Sequence, residues 1–457
     1  MKSDTVPETS ASFAEPARTL PLDDWADVIV AGGGPAGVAA AVSAARAGAK
    51  VRLFESHGCL GGVWTSGLLA YVFDFDKCAI GFELIRRLDA CCARFPDRPG
   101  AEGMRFYPDG LDKDWVYAPE EMKAVCEEMC AEAGVRVSLQ CPVVAAYRDA
   151  TGRNVETVVT EAKGGRRAWR AKVFVDCTGD GDLGALAGCG FDMGFGPDGR
   201  GQPATLNALA VVDDGDALAA QGFVSNEPAM WTRSADLATG GSVCHHIEAS
   251  RRLKAELRRA GLEPSYGDPT LFRMHRNLFC FMVNHEYGLR VDDAQAISDA
   301  TIRARREVMS LAAGLAGLGG PWKGMRIAAT AEQIGHRDAR RIHGRYCVTR
   351  ADVTAGATFP DAVTTSRFGI DIHGLDLTSN NEKAAGQNFG VAFRPFQIPL
   401  RACRALDADN LFMAGRCISG DFIAHASYRV TGSAVAMGEA VGREAAAMAR
   451  QLPRQTF

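Results

Sequence analysis

Residues 28–31, VIVA, form an unbroken apolar run that stops at a glycine-rich turn, GGGPAG. An alanine-rich stretch follows at 38–47, and a second apolar segment, KVRLFE, at 50–55. Short apolar runs bounded by turn residues predict buried strands, and the alanine-rich stretch predicts a helix. The order is strand, turn, helix, strand, which is one βαβ unit. Two more apolar runs end in glycine: AKVFVDCTGDGD at 171–182 and NLFMAGRC at 410–417. Residues 430–452 have helical character and begin with Thr431, Gly432 and Ser433, a capping start with little side-chain bulk.

The middle of the chain has a different texture. DDAQAISDATIRARREVMSLAAGLAGL, at 292–318, predicts a helix with Ile297, Ile302 and Met309 among charged positions, whereas LFRMHRNLFCFMVNHEYGLRV, at 271–291, suits strands. The pattern predicts an α/β protein: a Rossmann-like domain from 25–190 and 401–457, interrupted by an α+β substrate domain at 191–400. Residues 1–24 are polar and are expected to form a flexible leader.

Composition narrows the class of function. With 457 residues, 47% hydrophobic and 23% charged, the chain is long enough for two cores. A net charge of −4 with no long basic run gives no electrostatic case for nucleic acid. No run approaches the ~20 apolar residues that span a bilayer. The 14 cysteines sit mostly among apolar neighbours, which suits buried thiols in a reducing, cytoplasmic setting. No Cys/His set has zinc spacing, and the adjacent His245 and His246 would point apart, so no metal is expected.

The βαβ unit carries the first chemistry. Gly32 lets the chain turn, Gly34 lets backbone approach a pyrophosphate, and Gly37 lets helix and strand pack closely, while the helix N-terminus, with Pro35 and Ala36, offers N–H donors. Glu55 ends the second strand where an acid accepts from ribose hydroxyls, with Ser56 beside it. A second glycine-rich loop, SHGCLGGVWTSG, contains Gly61 and Gly62. Together with Thr178, Gly179 and Asp180 in the second junction and Gly415 in the third, it implies one extended ligand, and FAD fits that reach best.

These stretches, with GQPATL, QIGHRDARRIHGRY and FPDAV, resemble the FAD-dependent oxidoreductase family over roughly residues 26–450. The family has a glutathione-reductase-type nucleotide fold and is distantly similar to fumarate reductase flavoproteins. The resemblance implies FAD with Gly32, Gly34 and Gly37 at the pyrophosphate, Glu55 at the adenosine ribose, Gly61 and Gly62 near the flavin, and Val143 facing adenine through its backbone. Many relatives carry His where this chain has Phe422.

The helix that opens at Thr431, Gly432 and Ser433 can aim N–H groups at the flavin pyrimidine carbonyl, where its positive end stabilises developing charge. The bland alternative is a C-terminal helix packed on the sheet through Ala and Gly. His425 and Arg429 precede it: a neutral His can take a proton while hydride leaves carbon, and Arg can hold a carboxylate. Each could instead bond backbone carbonyls. His336, Arg337, Arg340, Arg341 and His343 lie within eight residues and read either as a cationic rim for an anionic substrate or as a salt-bridged helix face. His57 and Cys59 are candidates for covalent flavin attachment, and Cys59 for a redox thiol, against the plainer reading of a buried Cys.

The leading function is therefore an FAD-dependent dehydrogenase or oxidase that takes hydride to flavin N5 from a C–H bond next to O or N of a small polar metabolite. An NAD(P)H-dependent flavin monooxygenase and a non-catalytic electron-transfer subunit are the alternatives. The electron acceptor and a homo-oligomeric state stay open.

Overall fold

The computed structural model describes residues 13–23, 26–92, 115–196, 199, 201–226, 232–233, 244–245 and 247–453. Its organising element is a five-stranded, wholly parallel sheet. Strands β1 (Val28–Ala31), β2 (Val51–Phe54), β3 (Arg136–Ser138), β4 (Val173–Asp176) and β5 (Leu411–Met413) lie in the order β5-β4-β1-β2-β3. β1, β4 and β5 are buried at every position; β1 and β4 are interior strands covered on both faces, and β5 is buried although it ends the sheet. Val30 pairs with Leu53 on one side and Val175 on the other.

Helix α1 (Pro35–Arg46) starts three residues earlier than the alanine run predicts. Pro35 occupies the first turn, where its missing N–H is no loss and its fixed φ suits a helix. On α1 lies the long helix α3 (Thr431–Gln451), which follows the short helix α2 (Phe422–Tyr428). Small residues set the approach of α1 and α3. A Cβ built on Gly438 would lie 2.2 Å from the Ala36 carbonyl oxygen, and one on Gly442 would lie 2.3 Å from that of Ala40. Ser43 Oγ donates to the Glu439 carbonyl across the same seam at 2.7 Å. Residues almost four hundred positions apart thus share one core.

Residues 22–23, inside the expected leader, pair in parallel with Ala168 and Trp169 on the edge of a second, four-stranded sheet. The rest of that sheet is Val143–Arg148, Val155–Ala162 and Gly165–Arg170. The aromatic-rich segment forms the hairpin Thr270–His275/Leu278–Met282, joined by Ala208–Val211 and Arg326–Thr330 into an antiparallel sheet. This sheet and the helices Ile247–Arg259 and Ala294–Gly317 enclose a core of their own, including Leu253, Phe279, Val308, Leu315 and Trp322. The long helix buries Ala300, Ala304, Val308 and Leu311, so Ile302 and Met309 face outward. Ile342, Val348, Ile370, Phe396 and Ile398, inside the expected 191–400 segment, pack instead in the core of the parallel sheet.

Candidate active site

The carboxyl ends of β1, β4 and β5 open onto one cavity of about 580 Å³. Open parallel sheets bind ligands at this edge. Gly32, Gly34, Pro35, Ala36, Glu55, Ser56, Gly62, Val143, Thr178, Gly179, Asp180 and Gly415 all line it. At Gly32 the backbone has φ +93°, and an added Cβ would lie 2.4 Å from the Cys177 carbonyl oxygen. A Cβ on Gly37 would lie 1.8 Å from the Gly32 carbonyl oxygen, so that glycine serves packing behind the cavity wall. Gly34 is different in kind, because a Cβ there would meet no protein atom nearer than 3.9 Å. The space beside Gly34 is left open.

No side chain caps α1, so the first-turn N–H groups are available to an anion. Glu55 is buried and fixed from behind: Oε2 accepts from Gly33 N at 2.6 Å, and Oε1 from His57 N at 2.8 Å and Ser56 Oγ at 3.0 Å. Its remaining lone pairs suit ribose hydroxyls. Val430, Thr431 and Ala434 bring the uncapped start of α3 to the same cavity, and the buried Thr431 Oγ1 has no protein partner. The chain's residues fit a dinucleotide.

Three glycine and serine assignments change. Gly432 does not line the cavity: its N–H donates to Phe73 O at 2.9 Å, and a Cβ there would lie 2.1 Å from Asp74 O. Its smallness serves the approach of residues 73–74. Ser433 is fully buried and also off the cavity wall. Gly61, with φ +104°, packs on Thr65, and only its neighbour Gly62 reaches the cavity.

The polar cluster is rearranged as well. His425 is completely buried and does not line the cavity. Its Nδ1 lies 3.1 Å from Asp338 Oδ1, close but outside hydrogen-bond alignment. Burial pushes the His425 pKa down to about 4 despite the neighbouring Asp338, whose own carboxyl is held at about 2 against its burial by His425 and the Gln202 N–H. His425 is therefore a neutral structural group.

Three imidazoles line the cavity, His57, His336 and His373, and sequence reasoning missed the last. The His373 Nε2 lies 3.3 Å from Asp371 Oδ2, and its ring packs near Tyr266 and His285. Burial and then Arg337 push its pKa down to about 4. Asp371 also receives Arg429, whose Nη2 donates to the Asp371 carbonyl at 2.8 Å and lies 3.3 Å from Oδ2 and from Gln202 Oε1. His373 and Arg429 then keep the Asp371 carboxyl below its ordinary range despite burial. The Gln202 backbone N–H donates to Asp338 at 2.6 Å, so the His425 side chain reaches the cavity-lining Arg429 through Asp338 and Gln202.

The basic run at 336–343 is not a helix. It contains the strand Arg340–Ile342, and its cations disperse. His336 and Arg337 line the cavity. Arg340 pairs with Asp182 at 2.9 Å, the buried Arg341 bonds the carbonyls of Gly420 and Gly194, and His343 lies beside Asp192 at the surface. Burial lowers the His336 pKa. The run places two residues at the site rather than forming a rim. Arg416, also missed, lines the cavity with its guanidinium on Asp180 at 2.9 Å and on the His336 carbonyl.

Phe422 is buried against Phe195, ring centroids 4.9 Å apart, away from the cavity. His57 lines the cavity, with Nε2 2.8 Å from Gln333 Oε1; Cys59 is buried off the wall beside Thr65 and Ser66. His246 lies outside the described residues. Among the described residues, no helix is long and apolar enough to cross a membrane.

Comparison with known proteins adds a family. Thiamine thiazole synthases of Methanosarcina mazei and Methanosarcina barkeri are each 36% identical over 102 residues, which is 22% of this chain. The match spans 37% of the length of those relatives. A geranylgeranyl bacteriochlorophyll reductase-like protein from Thermoplasma acidophilum aligns over 94% of this chain and 79% of its own, at 13% identity and a TM-score of 0.45. The flavin-dependent monooxygenase PieE, solved with FAD and substrate, aligns over 73% and 52%, at 15% identity and a TM-score of 0.42. The sequence profile described as FAD dependent oxidoreductase matches residues 27–454, nearly the whole chain. The chain belongs to the FAD dependent oxidoreductase family, and its cofactor is FAD.

Proposed function

We propose that the protein is a dehydrogenase or oxidase acting on a C–H bond next to oxygen or nitrogen in a small polar metabolite. The reading rests on one observation: the glycine cradle and a largely enclosed His–Asp–Arg cluster share one cavity wall. FAD, when bound, supplies the two-electron acceptor for the hydride. The glutathione-reductase-type nucleotide fold, residues 25–190 and 401–457, holds it through Gly32, Gly34, Glu55 and the starts of α1 and α3. The intervening segment, 191–400, supplies most of the substrate's surroundings.

His373 takes the hydroxyl or amine proton. Asp371 orients the ring and stabilises the proton once it arrives, the arrangement of base and orienting acid that proton transfer requires. Arg429 is held in place by Asp371 and Gln202, and His336 presents a neutral ring to the same cavity. Tyr266, Phe73, Phe272 and Phe368 add apolar wall that excludes water.

Anaerobic stopped-flow mixing of the yellow holoenzyme with alcohols, amines and NADPH, each alone, tests this. Bleaching by an alcohol or amine without NADPH is the expected result. Bleaching by NADPH alone would point to the monooxygenase reading, and bleaching by none to an electron-transfer subunit.

A further inference from the structure

The charges around the cavity are matched with one exception. Asp74 is paired with Lys77 and Arg367, Asp180 with Arg416, Asp182 with Arg340, and Asp371 with Arg429 and His373. Glu55 is satisfied by N–H and O–H donors, and Asp268 has an interaction of its own. Arg337 lines the same cavity, and among the described residues no carboxylate lies within 4 Å of it. Its Nη1 is committed to Pro203 O at 2.5 Å and Thr205 Oγ1 at 2.8 Å. The described residues offer no hydrogen-bond partner to Nε or Nη2.

A guanidinium away from bulk water and without a counter-ion is costly, and such groups are normally paired. Burial lowers the pKa of Arg337 to about 10, with Arg429 adding to the effect and Tyr266, Asp371 and Asp338 only partly offsetting it, and the group stays a cation at neutral pH. What remains uncommitted is one edge of a planar fork, two parallel N–H groups spaced for the two oxygens of a carboxylate. Arg429 cannot do the same work, since its charge is already met by Asp371.

We infer that the substrate carries a carboxylate, seated on the Nε/Nη2 edge of Arg337 inside the cavity, with Thr205 and Pro203 fixing the guanidinium from behind. The inference rests on the cavity being the substrate site, as in the function proposed above, but not on the chemistry performed there. The carboxylate neutralises the one cation the fold leaves unpaired among the lining residues. A neutral analogue leaves that edge of the guanidinium without a hydrogen-bonded counter-ion.

The test uses oxidised holoenzyme and no turnover. Carboxylates from acetate to benzoate, each matched with its amide, are titrated while the flavin absorbance spectrum is followed. At least one carboxylate is expected to bind about 10- to 100-fold more tightly than its amide, the range for a hydrogen-bonded charge. Arg337→Met is expected to abolish that preference while keeping its flavin, and Arg337→Lys to retain a part of it. Equal binding of every acid and amide by the wild-type protein overturns the inference, as does a preference undiminished in both variants. Should Arg337→Met fail to fold, the wild-type series and Arg337→Lys still decide. Inorganic phosphate competing as well as the carboxylates would replace the carboxylate with a phosphoryl group and overturn the class named here. Bleaching by alcohols or amines with no carboxylate preference would refute this inference and leave the proposed function standing.

Discussion

His425 Nδ1 lies 3.1 Å from Asp338 Oδ1, with the two side chains 0% and 1% exposed, in a compartment separate from the cavity that His373 lines. The nearer residue in sequence to Arg429 is thus the structural one. His425→Asn is expected to lower stability by about 1–3 kcal/mol, the cost of disturbing a buried polar partner. It should leave the pH profile of substrate-driven flavin reduction in place. Urea unfolding and single-turnover kinetics of the same variant check both halves. A rate that falls and loses its pH dependence with stability intact would restore His425 to the chemistry.

Acid lability follows from the same histidines. Burial holds the pKa of His425 and His373 at about 4, and that of His285 well below its ordinary 6.5. Between pH 6.5 and 4 the unfolded chain binds protons at these positions that the native state refuses, so stability is full above 6.5 and declines as pH falls toward 4. The urea midpoint should drop across that window, and the drop should be smaller by about one proton's worth in His425→Asn. A midpoint flat from pH 7 to 5 would contradict the assignment.

Gly34 and Gly37 should separate cofactor binding from folding. Alanine at Gly34 meets nothing in the protein within 3.9 Å and keeps an ordinary backbone conformation, so the fold should survive while FAD affinity falls. Alanine at Gly37 collides with the Gly32 carbonyl, and should cost the fold itself. Soluble, colourless Gly34→Ala beside insoluble Gly37→Ala is the expected pair. Full flavin occupancy in Gly34→Ala would place the pyrophosphate elsewhere.

For His373 the expectation is kinetic. His373→Asn keeps a polar side chain beside Asp371 but loses the titrating group. Flavin reduction by substrate should slow by about 10²- to 10⁴-fold, with FAD content and carboxylate binding little changed. An unaltered rate would remove His373 from the proposed chemistry.

The cofactor half of the site was legible because its signals are local. Strand, GGGPAG, helix and Glu55 fall within thirty residues, and the glycine spacing reads as one motif even though the atoms that exclude a side chain at Gly32 belong to Cys177 and Thr178. The substrate half was not. His373 sits in an irregular stretch, GIDIHGLD, and its neighbours Tyr266, Arg337 and Arg429 come from three distant segments, so no periodicity marks it. His425 and Arg429 are four apart on or beside one helix, a spacing that reads as a shared face. Yet Arg429 caps that helix and turns to Asp371, whereas His425 turns to Asp338. Gln202 lay in a stretch, GQPATL, noted only for its resemblance to relatives, and its place between Asp338 and Arg429 needed coordinates.

β4 pairs with β1 on one side and with β5 on the other, and β5 is residues 411–413. During synthesis, β1, β2, β3 and β4 are all available some 230 residues before β5 exists, which leaves β4, apolar from Val173 to Val175, as a bare edge in the nascent chain. The strand that completes the sheet brings α3 with it, and α3 closes on α1 behind the cofactor cradle. Flavin capture is therefore expected only once residues 411–451 have been made and have joined the sheet. A chain stalled earlier would carry the recognisable glycine motif with an unpaired strand edge in place of a completed cofactor site.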